Sequence, residues 1–180
     1  MAHIIVTGPE STGKTTLVAA LAARHGGLPI PEYPRGYLEA LGRLAEPADF
    51  PHFARVNVQL AAAALAQDRR GREAPLVLQD TGAEVLALWY EDKFGDRPDY
   101  LRDALRAQRP DAYLLCRPDL PWEYDPLRED PHRRQELFTR LRGILDETGA
   151  RVVEVAGFDD AREAEATASL ERLRLVAPAA

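Results

Sequence analysis

Short runs of consecutive apolar residues alternate along the chain with longer stretches in which apolar side chains recur every three or four positions. The first pattern predicts strands buried on both faces of a sheet, and the second predicts amphipathic helices. The predicted strands are 3–7, 28–31, 75–79, 111–115 and 151–155. The predicted helices are 14–25, 35–44, 51–70, 82–93, 98–108, 130–148 and 159–174. This alternation is typical of an α/β fold in which a mostly parallel five-stranded sheet lies between two layers of helices.

The loop between the first strand and the first helix carries the strongest chemical signal. Residues 8–15 read G-P-E-S-T-G-K-T, the pattern of a phosphate-binding loop. Glycines let backbone N–H groups point inward, and the helix that follows adds the positive end of its dipole. We expect a nucleoside triphosphate here, with Lys14 on its β- and γ-phosphates and the Thr15 hydroxyl on Mg²⁺, and these residues leave open whether it is ATP or GTP. The predicted ATP-binding residues of the loop are Gly8, Pro9, Glu10, Ser11, Thr12, Gly13, Lys14, Thr15 and Thr16.

With this loop, the predicted fold is the three-layer P-loop NTPase fold of nucleoside and nucleotide kinases. The length of 180 residues suits one such domain, which we expect over residues 1–176. Residues 177–180 are predicted to form a frayed tail.

Ligands of parallel sheets bind beyond the carboxyl ends of the strands, so the residues that follow each strand are the next candidates. Glu32 follows the second strand, and we predict that it is the base that accepts the proton of an acceptor hydroxyl. The alternative is that Glu32 and Arg35 are the charged first turn of a helix. Tyr33 either stacks on the acceptor or belongs to the core.

Asp80 follows the third strand, in the sequence Q-D-T-G. An apolar strand that ends in aspartate is typical of nucleotide-binding sheets in which the carboxylate holds Mg²⁺. We therefore predict that Thr15 and Asp80 bind the metal together. Asp80 is also a good N-cap for the next helix, and one residue can serve both purposes.

A proline-rich segment after the fourth strand, at about 117–135, is predicted to form a lid over the site. Arg128, Arg133 and Arg134 cluster there, and arginine forks suit the spread charge of a transferring phosphoryl group. We predict catalytic roles for Arg128 and Arg133, and ATP contact for Arg128. The alternative is a solvated basic start of a helix. The predicted acceptor-binding residues are Glu32, Tyr33, Arg35, Asp80, Asp119, Trp122 and Asp125.

Composition narrows the range of partners. The net charge of −6 argues against binding to nucleic acid, and the absence of a long apolar span argues against a membrane protein. Cys116 is the sole cysteine, so an internal disulfide is excluded, and the chain begins directly in a predicted strand. We expect a cytoplasmic protein whose partner is a small-molecule nucleoside. The sequence leaves the oligomeric state open.

Several motifs taken together resemble one family. They are the phosphate loop, P-E-Y-P-R at 31–35, L-Q-D-T-G at 78–82 and R-P-D-L-P-W at 117–122. Over Ile4 to about Arg162, the chain resembles the ribosylnicotinamide kinase domain of NadR and its stand-alone relatives. The resemblance implies transfer of the ATP γ-phosphate to the 5′-hydroxyl of nicotinamide riboside, a step of NAD salvage. The chain departs from the family pattern at Pro31, where some members have an aromatic residue, and at Gly36, where many have glutamate.

Two other functions stay open on the sequence. Another nucleoside or deoxynucleoside kinase would have the same base and lid with a different acceptor. A nucleotide-binding ATPase switch or sensor would report occupancy to a partner. The chain lacks the guanine-selecting N-K-x-D motif and has its own arginine-rich lid, and both features count against a switch.

Overall fold

The computed structural model describes residues 1–68, 76–126 and 132–177. Its strands are β1 (Ala2–Thr7), β2 (Leu28–Ile30), β3 (Leu76–Asp80), β4 (Ala112–Cys116) and β5 (Val152–Val155). Its helices are α1 (Lys14–His25), α2 (Tyr33–Leu41), α3 (Phe50–Asp68), α4 (Ala83–Phe94), α5 (Asp99–Gln108), α6 (Arg134–Thr148) and α7 (Asp159–Arg172). A short 3₁₀ turn, Pro47–Asp49, precedes α3. Every predicted strand and helix is therefore found.

The five strands form one sheet in the order β2-β3-β1-β4-β5. All four strand pairs are parallel, whereas the sequence predicted a mostly parallel sheet. In the register of β1 with β3, Val6 lies opposite Asp80. The carboxyl ends of these two central strands therefore bring Asp80 beside the start of the phosphate loop.

Alternating side chains of the strands pack against helices on opposite faces of the sheet. Ile4 and Val6 of β1 pack with α1 and α7, whereas Ile5 packs in a larger core with α3, α4, α5 and α6. Because both faces are covered, each strand reads as a continuous apolar run. The predicted three-layer architecture is confirmed.

Two helices differ from the predicted bounds by three residues or more at one end, and the others agree within two residues. α2 begins at Tyr33 instead of 35, since Pro34 fits the first turn of a helix, and it ends at Leu41 because Gly42 adopts φ +64°. α6 begins at Arg134 instead of 130, and His132 and Arg133 form a turn before it. None of the helices in the described ranges is both long enough and apolar enough to cross a membrane.

Candidate active site

Two glycines of the phosphate loop are required by space and by backbone conformation. Gly8 has φ +152°, and a Cβ there would lie 2.8 Å from the Cys116 carbonyl oxygen. Gly13 has φ +72°, and a Cβ there would lie 2.9 Å from a methyl carbon of Leu120. L side chains rarely adopt these φ values, so both positions favour glycine. The loop is thus packed tightly between the end of β4 and the segment that follows it.

Polar side chains of the loop converge on one carbonyl oxygen. The Lys14 ammonium donates to the Pro9 carbonyl at 2.9 Å, and the Thr12 hydroxyl donates to the same oxygen at 2.8 Å. Lys14 is the first residue of α1, so its charge lies at the positive end of that helix. The loop therefore places an ammonium group and a helix N-terminus where a phosphate anion would be stabilised.

Thr15 and Asp80 meet as the sequence predicts. The Thr15 hydroxyl donates to Asp80 Oδ2 at 2.6 Å, and the Thr81 hydroxyl donates to Oδ1 at 3.2 Å. Hydroxyl and carboxylate oxygens are ligands that suit Mg²⁺, which typically takes one or two protein groups and completes its shell with water and phosphate. No cluster of three or more His, Cys, Asp or Glu able to hold a metal occurs in the described residues.

Glu32 lies next to the loop, in a cavity of about 180 Å³ that we call the inner cavity. Burial raises the pKa of the Glu32 carboxyl above its ordinary value, and the neighbouring Lys14 ammonium partly opposes this rise. Asp80 raises the same pKa further through charge repulsion. The inner cavity is lined by Glu10, Ser11, Gly13, Lys14, Thr15, Thr16, Glu32, Arg35, Leu38, Leu44, Ala45, Trp89, Asp92, Lys93, Glu123 and Leu137.

The aromatic wall of the inner cavity is Trp89 of α4, which also packs against the hydrophobic core. Tyr33, a predicted acceptor contact, does not line this cavity. Its hydroxyl hydrogen bonds to His52 Nε2 at 2.7 Å, and its ring packs among Tyr37, His52 and Phe53. Tyr33 therefore packs against the core, which is one of the two positions that the sequence left open for it.

Two other predicted acceptor residues lie together at the cavity edge. Arg35 lines the inner cavity, and its guanidinium donates to the carboxylate of Asp125 and pairs with Glu39 at 2.9 Å. The Asp125 side chain is therefore engaged with Arg35. Trp122 packs edge-on against Tyr124, with ring centroids 6.2 Å apart, and is absent from the described lining of the cavity.

Among the lid arginines, Arg134 reaches the phosphate loop. It donates to the Ser11 carbonyl at 3.2 Å and to the Leu120 carbonyl at 2.9 Å. Arg133 instead forms a fork with Asp92 of α4, at 2.7 and 3.0 Å, and also pairs with Glu136. Arg128 lies outside the described residues. Arg133 is thus paired with Asp92, a residue of α4 that lines the inner cavity together with the loop.

Asp119, in the segment that follows β4, is paired with residues that follow β5. Its carboxylate accepts hydrogen bonds from Arg162 of α7 and from the Gly157 N–H, the latter at 2.8 Å. Arg162 was not singled out in the sequence. The one available signal was an arginine in the first turns of a helix, where the helix dipole disfavours a cation.

A second cavity of about 500 Å³, which we call the outer cavity, also borders the phosphate loop and shares Ser11, Gly13, Thr16 and Glu123 with the inner cavity. Leu120, Pro121 and Phe158 give it apolar walls, and the Phe158 ring is 54% exposed. The outer cavity is lined by Ser11, Gly13, Thr16, Leu17, Ala20, Leu120, Pro121, Glu123, Phe158, Asp159, Asp160, Arg162 and Glu163. The phosphate loop therefore borders two cavities.

The fold and the loop together define a P-loop nucleotide-binding protein with the topology of small-molecule kinases. A family model described as "AAA domain" matches residues 3–162. The chain therefore belongs to this AAA-domain family. No curated protein is significantly similar to the chain in sequence.

Solved structures share this fold. A NadR protein in complex with NR is 24% identical with a TM-score of 0.77, over 94% of this chain and 51% of that chain. A NadR protein in complex with NAD and AMP-PNP is 22% identical with a TM-score of 0.76, over 99% and 51%. Shikimate kinase from Acinetobacter baumannii in complex with shikimate is 18% identical with a TM-score of 0.51, over 97% and 93%.

At these low sequence identities, the structural similarity establishes the fold alone. The chain spans about half the length of the NadR chains it matches. The resemblance to NadR inferred from the motifs is confirmed at this level.

Proposed function

We propose that this chain is a cytosolic kinase that transfers the γ-phosphoryl group of ATP to the 5′-hydroxyl of nicotinamide riboside. The observation that carries the proposal is the inner cavity, where Glu32, Lys14 and Thr15 line one space beside Asp80. The NadR structures bound to NR and to AMP-PNP support the choice of acceptor and donor.

Each part of the site has a role in this reaction. The loop and Lys14 hold the triphosphate, and the helix dipole of α1 stabilises its charge. Thr15 and Asp80 would hold Mg²⁺, which neutralises charge on the phosphates when bound. The acceptor oxygen forms a bond to the γ-phosphorus while the bond to the β–γ bridging oxygen breaks, and ADP leaves. Glu32 takes the proton of the acceptor hydroxyl, and a raised pKa makes its carboxylate a stronger base.

The walls of the inner cavity suit a planar, positively charged base. Trp89 offers an indole face, which attracts cations by a cation–π interaction. Glu32 and Glu123 add carboxylates to the same cavity. Lys93 also lines it, and this cation favours a neutral nucleoside instead. A different nucleoside is therefore the second candidate acceptor.

The experiment is ADP release from ATP and Mg²⁺ with nicotinamide riboside, thymidine, deoxycytidine, adenosine or no acceptor, with products identified by mass. We expect nicotinamide riboside to stimulate release and to give its mononucleotide. Stimulation by another nucleoside would keep the kinase mechanism and change the substrate. ADP release that is independent of every acceptor, or no release at all, would favour a switch or sensor.

Trp89 gives a direct test of acceptor recognition. We expect Trp89→Ala to raise the KM for the acceptor about tenfold or more, because stacking and cation–π contacts contribute about 1–2 kcal/mol. The KM for ATP should stay unchanged. Tyr124→Ala is the matched control, since this ring is 80% exposed and lies outside the described lining of the inner cavity. An unchanged acceptor KM in Trp89→Ala would contradict the stacking role.

A further inference from the structure

Arg162 is the most deeply buried arginine of the described residues, with 4% of its surface exposed. Its guanidinium joins three separate segments of the nucleotide site. Nη1 donates to the Thr12 carbonyl of the phosphate loop at 3.0 Å, and Nε donates to the Gly157 carbonyl at 2.9 Å. Nη2 donates to the carboxylate of Asp119, in the segment that follows β4. One side chain thus ties together the loop, the lid side and the turn after β5.

The Asp119 carboxylate completes this arrangement. One of its oxygens accepts from Arg162 and the other accepts the Gly157 N–H at 2.8 Å. Both polar groups of the Gly157 backbone are therefore fixed by the Arg162–Asp119 pair. Gly157 has φ +94° and directly precedes Phe158, whose ring forms a wall of the outer cavity. The pair consequently sets the position of that wall.

The same pair acts on the phosphate side. A loop whose N–H groups point inward to phosphate turns some carbonyls outward, and a buried carbonyl needs a donor. Arg162 supplies this donor to Thr12, one residue before Gly13 and two before Lys14. A planar guanidinium has five donors in a fixed fork, so a shift at Gly157 is transmitted to Thr12.

We propose that Arg162 and Asp119 couple the outer cavity to the phosphate loop, so that the base and the triphosphate of the donor nucleotide bind cooperatively. The proposal rests on the proposed function, in which ATP is the donor, and adds that the base of ATP occupies the outer cavity. Arg162 and Asp119 are positioning residues in this scheme, because they act through the backbone of Thr12 and Gly157.

The test compares two ligands, ATP and inorganic tripolyphosphate, which has the phosphates without the base. Dissociation constants are measured for both, with Mg²⁺, by calorimetry on the full chain. In Asp119→Asn, the Arg162–Thr12 contact is kept, but the amide cannot accept from both Arg162 and Gly157. We expect ATP to bind about tenfold more weakly. Tripolyphosphate should change by less than about twofold.

Arg162→Met removes every hydrogen-bond donor of the guanidinium. We expect this variant to bind both ATP and tripolyphosphate more weakly. Arg106→Met is the matched control, because Arg106 pairs with Asp103 at the surface and neither residue lines the inner or the outer cavity. It should leave both constants unchanged. The Asp119→Asn variant keeps the test valid if Arg162→Met fails to fold.

If Asp119→Asn weakened the binding of ATP and of tripolyphosphate equally, or weakened the binding of neither, the coupling would be overturned. Arg162 and Asp119 would then have a structural role alone. A different result applies to the proposed function. If the unmodified chain binds neither ATP nor tripolyphosphate, the proposed function itself is wrong, and the coupling falls with it.

Discussion

The pKa of the Glu32 carboxyl is shifted in opposite directions by the groups around it. Burial in the inner cavity and the negative charge of Asp80 raise the pKa of this carboxyl, whereas Lys14 and Arg35 lower it. The net pKa is raised, so Glu32 is a stronger base than an exposed glutamate. A general base works best when its pKa lies close to the working pH, because it is then both ionised and basic.

We therefore predict that Glu32→Gln lowers kcat by about 10²–10⁴-fold, the usual contribution of a general base. ATP should bind as before, because Gln keeps the size of the side chain and the loop is untouched. The unmodified enzyme should also lose kcat as the pH falls through the raised pKa of Glu32, above the ordinary range of a glutamate. This acid limb should vanish in the variant. Steady-state kinetics against pH would refute the assignment if half of kcat survived.

The turn between β3 and α4, which directly follows Asp80, is held by a buried network of hydrogen bonds. Glu84 is fully buried in the first turn of α4, where Oε1 accepts the Gly82 N–H and Oε2 accepts the Gln108 amide, each at 2.9 Å. Gln108 in turn accepts the Ala83 N–H at 2.7 Å. A Cβ on Gly82 would lie 2.5 Å from Glu84 Oε2, so this network explains the glycine. Burial raises the pKa of Glu84.

This network predicts a pH-dependent contribution to stability. Because the pKa of Glu84 is higher in the folded state, the folded chain holds a proton that the unfolded chain releases above about pH 4.3. The stabilisation by Glu84 is therefore complete below that pH and declines as the pH rises through the folded value. We expect Glu84→Ala to lower the free energy of unfolding by about 2 kcal/mol at pH 5, and by less at pH 8.

Urea unfolding at both pH values measures this difference. Asp103→Ala is the control, since Asp103 pairs with Arg106 at the surface and should contribute less than about 0.5 kcal/mol at either pH. A Glu84→Ala effect that grows as the pH rises would show that Glu84 is ionised in the fold, contrary to our account.

At the scale of the whole molecule, the parallel sheet gathers residues that are distant in the chain. Thr15 and Asp80 are 65 positions apart, yet their side chains hydrogen bond. This pairing was predictable from the sequence, because the loop motif and the apolar strand ending in aspartate both place their residues at the same edge of a parallel sheet. The strands and helices were predictable for a similar reason, since their apolar periods follow from burial on both faces.

Side-chain direction was less predictable. Trp89 lies in an apolar stretch of α4, and periodicity does not distinguish a position that faces the core from one that borders a cavity. Tyr33 follows Glu32 directly, but the helix turns its ring towards His52 and Phe53. Arg162 contacts Thr12 from 150 positions away, and no local pattern encodes such a contact. The contacts of these three side chains depend on how the helices pack on the sheet, and the sequence alone does not give that packing.

The central claim is that the γ-phosphoryl group is transferred to an acceptor hydroxyl and not to water. Phosphorus NMR of ATP, Mg²⁺, nicotinamide riboside and the protein tests it most directly, because a phosphate monoester and inorganic phosphate have distinct signals. We predict one phosphate monoester for each ADP formed, and a loss of about 10²–10³-fold in rate for Lys14→Ala. Inorganic phosphate in place of the monoester, or more than a tenth of the rate in Lys14→Ala, would contradict the account.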